Sequence, residues 1–278
     1  MHKVVNHLVQ LQELNMIRDE QKVASGGEHL EQLDASIKAM TSQLPASIRP
    51  VYEKLNRRDR MVIVPITDGI CAGCGMKIPI SLVQSVKQGK DVLSCPNCAR
   101  MLYFTASAPR RVARRTRRTA PRKVGVARFS SANLMVPDLG AQDMEGCIRI
   151  LAECMQSNGF VDDGDKLTES ALRREAVLST AVDHGLAFPH VRGVEGGGLT
   201  MAAGMSRDGI APDDTNKKPT HLVFFMVIPT AAGAFYLRLL AGLTQTFRKS
   251  EARRTLLAAE TADEMWKTLN KLTRSSIK

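Results

Sequence analysis

The first part of the chain, residues 1–60, carries apolar side chains at the spacing of amphipathic helices. One stripe runs through Leu30, Leu33, Ile37, Met40, Leu44, Ile48, Val51 and Leu55, and a shorter one through Val4, Leu8, Leu11, Leu14 and Ile17. Gly26-Gly27 suits a chain reversal between the stripes, and Pro45 and Pro50 should break or kink the second helix. The pattern predicts a helical coiled-coil hairpin that serves packing rather than chemistry.

Residues 129–278 alternate between helical and strand-like patterns. The helical segments are MEGCIRILAECMQSNGF, LTESALRREAVLS, FYLRLLAGLTQTF and ADEMWKTLNKL. The first should end at Gly159, and Thr168 and Ser170 are candidate N-caps of the second. The strand-like runs are LAFP, LTMAAGM and HLVFFMVIP. Strands mixed with covering helices predict an α/β layered domain with a mixed sheet.

Length and hydropathy indicate a multidomain protein without a membrane span. A chain of 278 residues normally holds two domains, and occasionally one large domain or three small ones. The longest apolar run, HLVFFMVIP at 221–229, is far shorter than the roughly eighteen residues of a spanning helix. The N-terminus lacks the features of a secretory signal, so we expect a cytoplasmic protein with no membrane partner. Its six cysteines should then be metal ligands or buried thiols rather than disulfides.

The basic character of the chain is confined to one segment. No acidic residue occurs between Asp91 and Asp138, and removing nine charges of this stretch from the net +11 leaves only about +2. Residues 105–128, which lack apolar periodicity, are predicted to be a disordered linker. Two interpretations of this basic segment stay open. It contacts nucleic-acid phosphates or another acidic surface, or it is a solvated spacer. The nine charges are Arg110, Arg111, Arg114, Arg115, Arg117, Arg118, Arg122, Lys123 and Arg128.

Four cysteines in residues 61–104 have the spacing of a metal site. CAGC at 71–74 and CPNC at 95–98 form the arrangement C-x2-C-x20-C-x2-C. Two such turns bring four sulfurs to one ion, so Cys71, Cys74, Cys95 and Cys98 are predicted to hold a structural zinc. Paired redox dithiols are the competing interpretation. Cys147 and Cys154 lack this spacing and are expected to lie in the core of the last domain.

The segment DGICAGCGMKIPISLVQSVKQGKDVLSCPNCARMLY resembles the C4-type zinc ribbon that follows a coiled-coil hairpin in a family of small bacterial proteins. The likeness covers roughly residues 1–104. It implies a binding or scaffold role with an unidentified partner, and no catalysis. This chain departs from the family at Ala99, where the family usually has glycine.

The segments ALRREAVLSTAVDHGLAFPHVR and YLRLLAGLTQTFR belong to a stretch, residues 131–271, that resembles the EIIA type 2 domain of the bacterial phosphotransferase system. The resemblance implies that His190 accepts a phosphoryl group from the phosphocarrier protein HPr and that Arg174 neutralises its charge. Arg192 and Thr180 are weaker candidates for phosphate contacts. The family usually has a second histidine near the reactive one, but this chain has Tyr236 there.

Histidine suits such chemistry because a substantial fraction of its rings is unprotonated near neutral pH. Acceptance requires that the His190 ring be open to solvent and that a cation be within reach. The main hypothesis is a cytoplasmic regulatory protein in which an EIIA-type phosphoacceptor is coupled to a zinc ribbon that binds a partner. The alternative is a nucleic-acid-associated protein that uses the Arg-rich linker and keeps a degenerate EIIA-like docking domain. A scaffold with neither activity is the third interpretation.

Overall fold

The computed structural model describes residues 3–24, 30–104, 124–194, 198–212 and 218–277. The chain divides into two compact units, Met1–Ser107 and Ala108–Lys278. Gly26-Gly27 and residues 105–123, which hold most of the predicted linker, lie outside the described residues. None of the helices in the described ranges combines the length and the apolar character that crossing a bilayer requires.

The N-terminal unit begins with three helices, α1 (Lys3–Ala24), α2 (Leu30–Ser42) and α3 (Arg49–Arg58). The second predicted helix is therefore two helices. Pro50 does not kink a helix, because it lies in the first turn of α3, where a missing N–H leaves no hydrogen bond unmade. The helices α1 and α2 contact each other, and α2 covers the core with the half-buried Ile37 and Met40.

A small four-stranded sheet completes this unit. It contains β1 (Ile63–Thr67), β2 (Ile70–Cys71), β3 (Leu93–Ser94) and β4 (Met101–Phe104) in the order β2-β1-β4-β3, and α4 (Ile80–Gln88) lies between β2 and β3 in sequence. The strands β1 and β4 pair in parallel, whereas the two outer pairs are antiparallel.

Alternating side chains of this sheet serve two different cores. Ile63 and Met101 pack into the helical cluster with Leu8, Leu11 and Tyr52. Their neighbours in sequence, Val64 and Leu102, pack with Cys71 and Cys95 instead. Because successive strand residues point to opposite faces, one sheet joins the helices to the cysteine-rich turns. Gln12 of α1 strengthens this junction by accepting a hydrogen bond from the Ile63 amide at 2.8 Å.

The C-terminal unit contains five helices and six strands among its described residues. The strands are β5 (Met135–Val136), β6 (Ala181–Val182), β7 (Leu186–Ala187), β8 (His190–Arg192), β9 (Thr200–Ile210) and β10 (Thr220–Ile228). The helices are α5 (Met144–Ser157), α6 (Gly164–Glu175), α7 (Gly233–Phe247), α8 (Ser250–Leu257) and α9 (Ala262–Thr273).

The six strands form one mixed sheet around β10, as the sequence predicts. The strand order is β5-β9-β10-β7-β6, and β8 also pairs with β10. The pairing of β10 with β9 is antiparallel, whereas β7 and β8 run parallel to β10. Every residue of β10 except His221 is buried, which explains why its sequence is a continuous apolar run.

Helices cover this sheet. The helix α5 contacts β9 and β10, α6 contacts β8, and α9 contacts β5. The ring of Phe224 in β10 lies 5.6 Å from Phe188 and 5.3 Å from Phe247 of α7, measured between ring centroids. These contacts make the α/β layered architecture that the hydrophobic pattern predicts.

Two local features differ from the sequence expectations. The helix α6 starts four residues before Thr168, because Asp163 is its N-cap and accepts from the Lys166 amide at 3.0 Å. Gly125–Arg128, predicted to belong to the linker, instead forms a 3-10 turn that contacts α9 and buries Val126.

A glycine in α7 allows the close approach of the C-terminal segment. A Cβ atom at Gly242 would lie 2.6 Å from Ile277 Cγ1 and 2.9 Å from the Ser276 carbonyl oxygen. We predict that Gly242→Ala lowers the free energy of unfolding by about 1–3 kcal/mol through overpacking, although alanine favours a helix by about 1 kcal/mol. Urea unfolding followed by fluorescence of Trp266, the single tryptophan, reports on this unit.

Gly233→Ala is the matched control in the same helix. A Cβ there would meet only the Arg192 guanidinium, at an ordinary 4.0 Å. This variant should keep or slightly raise the stability. Equal stability of the two variants would contradict the proposed close approach.

Candidate functional site

The four cysteines of the N-terminal unit converge at one point. Their sulfur atoms all lie within 4.8 Å of one another. The Sγ atoms of Cys71 and Cys98 are 3.8 Å apart, and those of Cys74 and Cys95 are also 3.8 Å apart. In a tetrahedral site with metal–sulfur bonds of about 2.3 Å, neighbouring sulfurs are about 3.8 Å apart. The donor set and its geometry therefore fit a four-coordinate metal site with no open position.

Each pair of cysteines sits on a tight turn that aims both sulfurs inward. The Cys71 carbonyl accepts from the Gly75 amide at 2.8 Å, and the Cys95 carbonyl accepts from the Ala99 amide at 2.9 Å. Both turns end in the left-handed region, with φ of +73° at Gly75 and +62° at Ala99. Glycine adopts this conformation without strain, whereas alanine does not. The departure from the ribbon family at Ala99 is thus a local strain in the second turn.

Arg100 connects the metal site to the rest of the unit. Its Nε donates to the Met61 carbonyl at 2.8 Å, and its guanidinium pairs with Asp59 at the end of α3. A Cβ at Gly73 would lie 2.8 Å from Arg100 Cδ, so the first turn packs directly on this side chain. The pattern of residues along the chain does not reveal this role of Arg100, because its contacts are made across the fold.

The remaining two cysteines are on α5 of the C-terminal unit. Cys147 is fully buried, and burial raises the pKa of its thiol to about 12. Cys154 is half-buried and its Sγ lies 3.4 Å from the Asn133 carbonyl oxygen. Burial raises the pKa of this thiol as well. Cys147 lies in the core of the domain, as expected, whereas Cys154 is only partly buried.

His190 opens β8 at the point where this strand joins the centre of the sheet. It is paired with Met226 of β10, and the Met226 amide donates to the Pro189 carbonyl at 2.9 Å. Nδ1 of His190 lies 3.0 Å from the Phe188 carbonyl oxygen. A carbonyl only accepts hydrogen bonds, so in the neutral ring Nδ1 carries the proton. Nε2 is then the unprotonated nitrogen of the ring.

Tyr236 and Arg192 form a cluster with His190. The Tyr236 hydroxyl oxygen lies 3.3 Å from Nδ1, and the two rings are 5.1 Å apart at a tilt of 42°. The Arg192 guanidinium carbon is 4.8 Å from the centre of the Tyr236 ring. His190 and Arg192 are two residues apart on β8 and therefore point to the same face. The strand thus places Arg192, a weaker candidate in the sequence, beside His190 and Tyr236.

Arg174 lies in the last turn of α6, which contacts β8. The side chain is buried, and its Nη1 donates to the Leu178 carbonyl at 2.9 Å. Thr180 follows in the loop after α6, and its carbonyl accepts from the Phe188 amide at 3.1 Å. The two other histidines of this unit have local roles. His184 occupies a left-handed turn at φ +71°, and His221 lies 3.0 Å from the Ser206 carbonyl oxygen.

The exposure of His190 differs from the sequence expectation. Only 2% of its surface is accessible, so the ring is not open to solvent in this conformation. The reason is its place in the fold, because a residue paired to the central strand and covered by a helix is shielded on both sides. The sequence pattern HGLAFPHVR does not reveal this, since a loop histidine was equally compatible with it.

Two parts of the chain match known protein families. Residues 128–272, more than half of the chain, match the family described as phosphoenolpyruvate-dependent sugar phosphotransferase system, EIIA 2. The chain belongs to this EIIA type 2 family. Residues 70–102 match the C4-type zinc ribbon domain, so both resemblances inferred from the sequence are confirmed.

Relatives of the EIIA domain include sugar-specific proteins. The chain is 33% identical over 116 residues to a PTS system fructose-specific EIIA component of Haloferax volcanii. The aligned residues cover 42% of this chain and 75% of that protein. It is 27% identical over 133 residues to a fructose-specific EIIABC component of Bacillus subtilis, covering 48% of this chain but 21% of that protein. A crystal structure of nitrogen regulatory protein IIA-Ntr from Neisseria meningitidis is similar over 51% of this chain and 97% of that one, with 23% identity and a TM-score of 0.46.

The strained turn at Ala99 yields a prediction for the ribbon. Ala99→Gly should raise the stability of the metal-loaded N-terminal unit by about 1 kcal/mol, because it removes a side chain from a left-handed conformation. Scanning calorimetry of the full-length protein measures the thermal transition of this unit. Ala72→Gly, a neighbour in the first turn outside the left-handed region, should instead lower the stability by about 0.4–1 kcal/mol. A loss of stability in both variants contradicts the strain.

Proposed function

We propose that the EIIA domain of this protein accepts a phosphoryl group on Nε2 of His190 from an HPr-like phosphocarrier, and that the zinc ribbon binds a partner whose engagement is regulated by this mark. The hydrogen bond from Nδ1 to the Phe188 carbonyl carries the proposal. It holds the proton on Nδ1 and leaves the lone pair of Nε2 for attack on phosphorus. A nucleophile must be both unprotonated and oriented, and this bond supplies both conditions.

The reaction is a transfer between two imidazoles. The Nε2 lone pair of His190 forms a bond to phosphorus while the bond from phosphorus to the donor nitrogen breaks, and the donor ring keeps that electron pair. Nδ1 of His190 keeps its proton throughout. The transferred group is anionic, so a nearby guanidinium lowers the barrier. Arg192 in the Tyr236 cluster and Arg174 on α6, the helix that contacts β8, are the candidate cations.

The burial of His190 defines what the donor must do. A ring with 2% exposure accepts a phosphoryl group only after the side chains that cover it have moved. Such rearrangements accompany the binding of many catalytic partners. We therefore include in the proposal an opening of the site on binding of the phosphocarrier. The fructose specificity of the relatives is theirs, and the proposal assigns no sugar to this chain.

A transfer assay tests this proposal. Incubation with phosphoenolpyruvate, enzyme I and HPr should label the full-length protein with an acid-labile phosphoryl group, and His190→Ala should abolish the label. Arg174→Ala and Arg192→Ala should each slow labelling by about tenfold to a thousandfold, since one charge-stabilising donor is lost. Arg173→Ala is the matched control for Arg174, because Arg173 pairs with Glu169 at the exposed surface of α6. It should label at the normal rate.

The same burial favours a second candidate function. In it, the EIIA fold serves as a docking module whose histidine is a core residue. This function predicts no label on the unmutated protein under conditions in which a standard EIIA protein is labelled. It also predicts that His190→Ala lowers stability without any other effect. These outcomes would exclude the phosphoacceptor function.

For the ribbon, we propose zinc as the metal, because a closed site of four thiolates suits this ion and a structural role. Binding would neutralise the charge of the thiolates and hold together a segment too small for a large core of its own. Cys71, Cys74, Cys95 and Cys98 would be its ligands. The redox-dithiol interpretation remains the alternative.

Metal analysis tests the zinc proposal. The purified protein should contain about one zinc ion per chain, and Cys98→Ser should lose it and unfold the ribbon. Cys147→Ser, which removes a buried thiol outside the site, should retain full zinc content. Zinc-free protein with a folded ribbon, or a reversible disulfide within the site, would favour the redox interpretation.

A further inference from the structure

Glu175, the last residue of α6, makes a two-pronged contact with the loop that follows. One carboxylate oxygen accepts from the Thr180 amide at 2.7 Å, and the other accepts from the Thr180 hydroxyl at 2.8 Å. The Ser179 hydroxyl also lies 3.3 Å from the first oxygen. Hydrogen bonds to a charged acceptor are stronger than neutral ones. The carboxylate thus fixes both the backbone and the side chain of Thr180.

Thr180 passes this constraint to the segment before His190. Its carbonyl accepts from the Phe188 amide at 3.1 Å. Phe188 is held further by its ring, which stacks on Phe224 with an interplanar angle of 16°. Residues before proline are restricted to extended conformations, so Pro189 leaves the Phe188 peptide little freedom. The position of the Phe188 carbonyl therefore depends on Thr180 at one end and on the sheet at the other.

The chain of contacts ends at the imidazole. The Phe188 carbonyl accepts from Nδ1 of His190 at 3.0 Å, the bond that sets the tautomer. Glu175, Thr180, Phe188 and His190 are thus connected by three successive hydrogen bonds across two loops and a strand. Glu175 does not touch the reacting atoms in this arrangement.

We propose that Glu175 is a positioning residue for His190. It keeps the proton of the imidazole on Nδ1 and so leaves Nε2 ready to accept the phosphoryl group. The expected effect on the rate of phosphoryl transfer rests on the proposed phosphoacceptor function, whereas the expected effect on the tautomer does not. A carboxylate that merely closed the loop would support folding but would leave the protonation pattern of the imidazole unchanged. The tautomer is therefore the property that separates the two roles.

The test uses the full-length protein labelled with nitrogen-15 and long-range proton–nitrogen NMR spectra of the imidazoles. At a pH of about 8, above the usual titration range of histidine, His190 of the unmutated protein should show a protonated Nδ1 and an unprotonated Nε2. Glu175→Ala should shift this pattern towards a mixture containing the Nε2–H tautomer. The rate of phosphoryl transfer should fall by about tenfold to a hundredfold, as for other small misplacements of a reacting group.

Glu169→Ala is the matched control on the same helix. Glu169 pairs with Arg173 at the exposed surface, and its removal should change neither the tautomer nor the transfer rate. Trp266 fluorescence checks that each variant is folded. If Glu175→Ala does not fold, Thr180→Val decides, because it removes the hydroxyl contact while keeping the shape of the side chain. It should shift the tautomer in the same direction by a smaller amount.

The two proposals fail separately. If the folded Glu175→Ala protein shows the same tautomer as the unmutated protein, the positioning role is overturned, whether or not His190 is labelled. The same holds for Thr180→Val where Glu175→Ala does not fold. If Glu175→Ala shifts the tautomer but the unmutated protein accepts no phosphoryl group, the positioning of the ring is supported and the phosphoacceptor function is excluded. A slower transfer with an unchanged tautomer also overturns the positioning role, because the loss then has another cause.

Discussion

The parallel pairing of β8 with the buried strand β10 is the constraint on which the candidate phosphoacceptor site depends. It places His190 opposite Met226 and turns Arg192 to the same face, so that Tyr236 of α7 contacts both. The strand β10 is itself held on its other edge by the long antiparallel partner β9. A reactive side chain built on such a rigid sheet has few alternative positions. The cost of this arrangement is a ring with almost no exposure, which ties any transfer to movement of its cover.

The two units of the chain obtain their order by different means. The C-terminal unit buries a nine-residue strand between helices and a partner strand and has a large apolar core. The ribbon has short strands of two to five residues, four converging sulfurs, and contacts with the helices before it. A metal supplies stability where a core is too small.

Much of the fold and of the candidate sites was predictable from the residues. The continuous run HLVFFMVIP indicated a buried strand, and the spacing of the cysteines indicated one metal site, because both signals are local. The break of the second helix was predicted near Pro45 and Pro50, but the new helix beginning at Arg49 was not. The start of α6 was placed too late, since Asp163 and Thr168 are both plausible caps and only the hydrogen bond to Lys166 distinguishes them.

By itself the sequence determined the main helices and the long strands β9 and β10 of the C-terminal unit, the four cysteines of the candidate metal site and the identity of the candidate acceptor, whereas the short strands β5, β6 and β8 and the helix α8 were not predicted. The predicted features follow from periodicity, spacing and the chemistry of single residues, which do not depend on distant contacts. The tertiary structure decided the hydrogen bond that sets the tautomer of His190, the burial of its ring, and the contacts of Glu175 and Arg192. Each of these depends on which atoms meet across a sheet or a loop, at a precision of tenths of an ångström, and no pattern along the chain specifies such distances.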